Sequence, residues 1–546
     1  MMPVAEKRVR GRRSNHDSGA SIVECRPTRA LLHPGEEAGV WVRVHGAGFG
    51  STHLRATVLE LDTVVAVIEE PLDTAGQTLR FLLPAEAGKG YGVDIDLVRT
   101  RTGETIARRS TSVDVQRSWV DAPRYGFLCD FAAGEQYEAR ADLLLERHVT
   151  VVQFYDWMYR HYRYLLPEDA FTDAIGRTLS ISSTQRAITA LRKRGIASMA
   201  YGSVYGAEPE YALQHRDELL YDKQGEPLSL DGAFYFQDVR PGPWRERILH
   251  EYREAIERMG FDGIQADQYG FREQVHDASG APIDMASALG DMVRTAQQTV
   301  RDAGGDGVIF NCVNDWPIRQ IAHEAQLCTY IELWPPHVRL QDLADLVNGA
   351  HELAPSRQVI LAAYMSCAAS APDAAEEATL LTSAAIHASG GFHLLLGEGD
   401  GILTRPYFPN FVRPGSRFQR RLVDHRSFIV RYGAYLFDRS LRLIATTADK
   451  GSWRIHRAAP RFSTVSVLNA HPDDLWDSAR PTHPPRNVAI DVPHDGRVDA
   501  VLLASPDEPG PPQRVDFEQA NGRLRFAIAG IQTWTLAIIT SANGVP

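Results

Sequence analysis

Between residues 121 and 435, short apolar runs alternate with longer stretches of helical periodicity, and this alternation limits the folds open to the chain more than any other feature. The runs are RYGFLCD (124–130), VTVVQFYD (149–156), IASMAY (196–201), DGIQAD (262–267), GVIFNCVN (307–314), LCTYIELW (327–334), QVILAAYM (358–365) and FHLLLGEG (392–399). They are too short for buried helices. Their near-continuous apolarity is that of strands covered on both faces, as in a parallel sheet. Amphipathic helices can be read between most of them. One is predicted from Trp244 to Met259, with Ile248, Tyr252, Ile256 and Met259 on one face and Gly260 as its stop. Eight such strands in about 315 residues predict a (β/α)8 barrel. The competing doubly wound sheet, in its dinucleotide-binding form, carries a glycine-rich phosphate loop after its first strand, and none is present.

The flanks read differently. Residues 22–118 hold six short β-branched runs: 40–44, 54–62, 64–70, 79–84, 91–98 and 111–116. In YGVDIDLV, Tyr91, Val93, Ile95 and Leu97 share one face, the signature of a half-buried strand. Residues 437–546 return to strands at 441–447, 462–470, 487–493, 498–505, 523–530 and 533–540, with HPDDLWDSARPTHPPRN as a long loop. Each flank predicts a β-sandwich. The expected organisation is therefore multidomain α/β: a tail over 1–20, a β-sandwich over 21–120, the barrel over 121–435 and a second β-sandwich over 436–546.

Composition narrows the function. Lys and Arg number 58 against 69 Asp and Glu, a net charge of −11, which argues against a nucleic-acid surface. The basic N-terminal stretch, MMPVAEKRVRGRRSNHDSGAS, has no apolar run behind it, so it reads as a solvated tail rather than a secretory signal or a nucleic-acid arm. No stretch reaches the ~18 consecutive apolar residues of a membrane helix. A cytoplasmic location with no membrane partner is the expectation. The cysteines (Cys25, Cys129, Cys312, Cys328 and Cys367) are odd in number and form no CxxC pair, so neither a disulfide framework nor a zinc site is expected. The sequence carries no signal for oligomeric state.

In a barrel, the strand C-terminal ends form the reactive face. Asp130, Asp156, Asp267, Asn311, Asn314, Glu332 and Glu398 all fall there. Converging acids raise one another's pKa and so separate into acid and base. Tyr155, Trp157, Tyr201, Tyr205, Tyr269, Trp334 and Tyr364 share the rim. Acid pairs beside flat aromatic surfaces are the equipment of a sugar site. Asp267 and Glu332 are the candidate catalytic pair. Asp130, Asp156, Trp157, Tyr201, Asn314, Trp334 and Glu398 are the candidate substrate contacts, although the acids and Asn314 have an equal claim as groups that orient neighbours, and single aromatics more often pack than bind. No metal and no organic cofactor is expected.

The stretches RYGFLCDF, VVQFYDWMYRH, MAYGSVYGAE, GFDGIQADQYG, FNCVN, YIELW, LAAYM and GGFHLLLGEGDGILTRPYFPN, in that order, resemble the dextranase family of glycoside hydrolases, family 66. The resemblance runs from about Arg124 to Asn410. It implies an immunoglobulin-like N-terminal sandwich, a catalytic (β/α)8 barrel and a C-terminal β-sandwich. It also implies retaining hydrolysis of α-1,6-glucosidic linkages in dextran or isomaltooligosaccharides. In DGIQAD the matching nucleophile is Asp267, and in YIELW the matching acid/base is Glu332. Two alternatives stand beside this. Cyclising α-1,6-glucanotransferases belong to the same family but carry an inserted carbohydrate-binding module in the barrel region, for which this chain has no spare strand-rich segment. A catalytically silent glucan-binding protein would lack one of the two acids.

Overall fold

The computed structural model describes residues 19–270, 274–406, 410–449, 451–479 and 484–541. Apart from Gly19 and Ala20, the expected tail over 1–20 lies outside the described residues. The eight apolar runs form eight parallel strands: β1 (Tyr125–Leu128), β2 (Val151–Phe154), β3 (Ala197–Ser203), β4 (Gly263–Asp267), β5 (Gly307–Val313), β6 (Thr329–Glu332), β7 (Val359–Ala362) and β8 (Gly391–Leu394). They pair in chain order, β1 beside β2 through to β7 beside β8. Past β8, Leu396 and Gly397 pair in parallel with Gly126 and Phe127 of β1, so the sheet curls until its last strand reaches its first. Two antiparallel strands, Gly401–Leu403 and Phe411–Val412, extend it to eleven strands.

Close approach of neighbouring strands requires a small residue at one point. A Cβ on Gly263 of β4 would stand 2.6 Å from the Gly307 carbonyl oxygen of β5. The predicted helix before β4 runs as an α-helix over Pro243–Glu254 and then widens into a π-turn over Ala255–Met259. It stops at Gly260, whose φ of 82° suits glycine.

The N-terminal strands form a three-stranded and a four-stranded sheet around a core of their own, which includes Val40, Val58 and Ile95. That unit meets the helix Ser416–Arg431 through polar contacts. Arg431 pairs with Asp94 at 2.9 Å, and Ser112 Oγ donates to the Ser427 carbonyl at 2.9 Å. The C-terminal strands form a six-stranded and a three-stranded sheet. Alternation splits the larger sheet's two faces. Val465, Val467 and Ile539 pack on the smaller sheet, whereas Trp453, Trp534, Leu536 and Ile538 join the core of the parallel unit.

In the two flanking regions, four strands were not anticipated by pattern: Ser21–Pro27, Ser452–Ala459, Glu508–Val515 and Glu518–Ala520. SWRIHRAA hides a buried arginine, Arg457, whose guanidinium donates to the Leu436 carbonyl at 2.6 Å. EPGPPQRV is tolerated as a strand because it lies at the sheet edge, where proline's missing N–H is harmless. Among the described residues, no helix is long and apolar enough to cross a membrane.

The junction between the N-terminal sheets and the helix Ser416–Arg431 leaves no room at Gly90, where an added Cβ would overlap the Val430 carbonyl. Gly90→Ala should lower unfolding stability by about 1–3 kcal/mol, read as a fall in denaturant midpoint with an unchanged slope.

Candidate active site

A period of two runs through the lining of a cleft at the strand C-terminal ends. Gln153 and Tyr155 follow it around β2, Gln265, Asp267 and Tyr269 around β4, Asn311 and Val313 on β5, and Tyr330, Glu332 and Trp334 around β6. Alternate residues of a strand point to the same side, so each strand sends every second residue inward. The cavity they enclose measures about 450 Å³. Its floor is tied across the sheet interior, where Gln153 Nε2 donates to Gln265 Oε1 at 3.1 Å.

Asp267 and Glu332 both face this cavity and share one donor. The amide nitrogen of Asn311 lies 2.7 Å from Asp267 Oδ1 and 2.8 Å from Glu332 Oε2. Those two bonds laid end to end limit the oxygen–oxygen separation to 5.5 Å. Burial pushes both carboxyls above their ordinary range, and the Asp267 charge pushes Glu332 further. Hydrogen bonds work the other way. Asn311, Tyr201 and the Gln268 backbone favour the charged form of Asp267, and Asn311, Tyr364 and Trp334 favour that of Glu332. The net direction is upward for both acids, with Glu332 the stronger candidate to hold a proton near neutrality.

The remaining candidates divide. Tyr201 is buried and bonds Asp267. Asp156, in a left-handed conformation with φ 44°, lies near enough to raise the Asp267 pKa. His161 stands between Asp156 and Glu208, 3.6 Å and 2.8 Å away. Burial disfavours its charge, but the two carboxylates outweigh that and push its pKa up to about 10. Trp334 is 37% exposed and lines the cavity. Asn314 supports it, its Oδ1 accepting from the Trp334 N–H at 2.7 Å and its Nδ2 donating to the Pro335 carbonyl at 3.1 Å.

Tyr201 and Asp156 do not line the cavity themselves, and neither do the remaining three candidates. Trp157 is buried, donates to the Tyr201 carbonyl at 3.1 Å and packs on Phe261. Glu398 accepts from the Cys129 N–H at 2.6 Å and pairs with Arg140 at 2.7 Å. Asp130 joins the same arginine at 3.4 Å. The amides, Asn311 above all but also Gln153, Gln265 and Gln268, were not among the candidate contacts. For Gln153 and Gln265 the signal was present, since each stands two residues before an aromatic or an acid, Tyr155 and Asp267, and shares its inward face. Among the described residues, no group of three or more His, Cys, Asp or Glu is disposed to hold a metal ion.

Two acids with oxygens within 5.5 Å of each other, bridged by an amide and walled by aromatic rings, have the makeup of a site for glycoside chemistry. The chain belongs to glycosyl hydrolase family 66, whose sequence model matches residues 28–538. It is 27% identical over 373 residues to a cycloisomaltooligosaccharide glucanotransferase of Niallia circulans, covering 62% of this chain and 38% of that relative. It is 21% identical over 463 residues to a dextranase of Streptococcus salivarius, covering 70% of this chain and 56% of the dextranase. The chain thus spans 38% of the length of the first of these relatives and just over half of the second. In fold it matches a Paenibacillus cycloisomaltooligosaccharide glucanotransferase complexed with cycloisomaltoheptaose, with a TM-score of 0.86 at 20% identity over 95% of this chain and 100% of that one.

Because the Asn311 amide favours the charged form of both acids, its loss should raise both pKa values. In Asn311→Ala, the whole pH–rate profile should move upward by about one pH unit, the equivalent of ~1.4 kcal/mol, with a lower maximum. The check is kcat/KM against pH for the two proteins.

Proposed function

We propose that this protein hydrolyses α-1,6-glucosidic linkages of dextran or isomaltooligosaccharides with retention of configuration. Its catalytic unit is a closed (β/α)8 barrel over 121–435, between an immunoglobulin-like β-sandwich over 21–120 and a β-sandwich over 436–546. Asp267 attacks the anomeric carbon while Glu332 protonates the departing oxygen. The resulting glycosyl ester is then opened by water that Glu332 deprotonates. The observation that carries this reading is the shared Asn311 amide. Retaining pairs sit ~5–5.5 Å apart, whereas inverting pairs leave ~6.5–9.5 Å for a water molecule. The 5.5 Å ceiling on the two carboxylate oxygens supports retention.

Each neighbour has a part in this scheme. Tyr201 and Asp156 set the charge and position of Asp267 from behind the cavity wall. Trp334, oriented by Asn314, supplies a face for pyranose stacking. Asp130 and Glu398 hold the rim through Arg140 rather than touching sugar.

The likeness to two cyclising glucanotransferases supports a second reading, in which the acceptor is the far end of the same glucan rather than water. Hydrolysis is favoured because, among the described residues, the connections between parallel strands carry only a two-stranded and a three-stranded sheet, too small for an inserted binding module. Incubation with dextran separates the two: linear oligosaccharides are expected, and rings would establish the transferase. The first product followed by NMR should be the α-anomer, and an initial β-anomer would refute retention.

Asp267→Asn and Glu332→Gln are near-isosteric and should each remove nearly all activity while leaving the thermal transition intact. With an activated aryl glycoside, azide should rescue only Glu332→Gln, giving a glycosyl azide of retained configuration, since the ester still forms there. An azide of retained configuration from the Asp267 variant instead would reverse the two roles.

A further inference from the structure

A second cavity of about 500 Å³ opens beside the first and shares two of its walls, Trp334 and Tyr364. Its volume is that of a ligand site. Its far wall comes from the C-terminal region, where Leu475, Trp476 and Asp477 face His337 and Val338. That wall is built in. Trp476 Nε1 donates to the His337 carbonyl at 3.0 Å, the Trp476 N–H donates to the Val338 carbonyl at 3.0 Å, and Asp477 accepts from the Cys367 N–H at 2.9 Å and from the Ser366 hydroxyl. The lining is mostly apolar and aromatic. Arg405 also lines it, exposed and without an ion pair among the described residues. Flat apolar walls for pyranose faces and an exposed guanidinium for hydroxyls make a combination suited to a neutral sugar chain.

We propose that this cavity holds the leaving portion of the glucan, the sugars on the reducing side of the bond that is cut. The inference rests on the hydrolase reading above and deepens it. The direction follows from what the two cavities share. Both acids line the first cavity and neither lines the second. The walls in common, Trp334 and Tyr364, each stand two residues beyond the paired Glu332 and Ala362 of β6 and β7, which places them next to Glu332. A sugar in the second cavity therefore adjoins the group that protonates the departing oxygen and lies away from the group that attacks the anomeric carbon. Only the leaving side of the bond meets both conditions. The C-terminal sheets thereby contribute to substrate binding through the segment 475–477.

Two substrates test this. In 4-nitrophenyl α-isomaltotrioside the leaving group is nitrophenol, too short to fill the second cavity. In dextran it is a glucan chain. Val338→Trp places a ring in the cavity from its exposed side, and Arg405→Ala removes the guanidinium at the surface. For Val338→Trp, kcat/KM on dextran should fall about tenfold, while the aryl substrate stays within about twofold of the parent. Arg405→Ala should show a smaller loss with the same selectivity. An equal loss on both substrates would assign the cavity to the other side of the bond or to general damage, and no loss on dextran would mean that the chain does not enter it. Either result overturns the inference while leaving parent activity, and hence the hydrolase reading, in place. A parent protein inactive on both substrates would remove the hydrolase reading itself and this inference with it.

Discussion

Holding two carboxylates side by side inside a protein is unfavourable, because each loses hydration and each repels the other. Here one amide offsets much of that. Asn311, on the strand between those of Asp267 and Glu332, donates one hydrogen to each acid. The chain order of the sheet makes this possible. With β4, β5 and β6 adjacent and in register, Ala266 pairs with Phe310 and Asn311 with Tyr330, so the three side chains emerge at neighbouring levels on one face. The spacing of the acids is thus set by backbone pairing rather than by a loop. Strand-borne sites of this kind hold their geometry more tightly than loop-borne ones.

The sheet's closure needs its own fastening. Where the segment after β8 meets β1, only Leu396 and Gly397 pair with their neighbours. Glu398 continues the seam by accepting from the backbone of Cys129 and Asp130, at 2.6 and 3.2 Å, with Arg140 neutralising its charge. A carboxylate that looks from its position like a sugar ligand thus stands in for missing strand pairing. The His161 cluster does comparable work beyond the adjacent strand β2, holding Asp156 in place with a buried positive charge between two acids.

How much of this was legible in the sequence varies with the kind of interaction. The eight parallel strands were, since burial on both faces leaves unbroken apolar runs. Asp267 and Glu332 stood out as charges ending such runs. Asn311 was visible as a rim residue, but its double role was not, because a bridge between two side chains depends on strand register, which one strand's pattern does not carry. Trp157 shows the converse. Its place beside Asp156 suggested a stacking platform, yet its indole turns inward to the Tyr201 carbonyl. The strand Ser452–Ala459 was hidden because its buried arginine, satisfied by a carbonyl, breaks the alternation that marks a strand.

The two flanking β regions are attached in different ways, and this bears on how the architecture can be rearranged. The N-terminal sheets keep most of their hydrophobic core to themselves, sending only Ala30 and Leu31 of the buried residues before 116 into the neighbouring core, and meet the helix Ser416–Arg431 through ionic and hydroxyl contacts. The C-terminal six-stranded sheet instead contributes Trp453 and Trp534 to the same continuous core as the parallel strands. A chimera that exchanges the first unit needs to match those polar partners, the seats of Ala30 and Leu31 and the close approach at Gly90. One that exchanges the second must replace part of an interior packed to solid density, where a single displaced methylene is felt. Recombination among related chains should accordingly be permissive at the front of the sequence and restrictive at the back, with variation at the rear confined to outward-facing strands and loops.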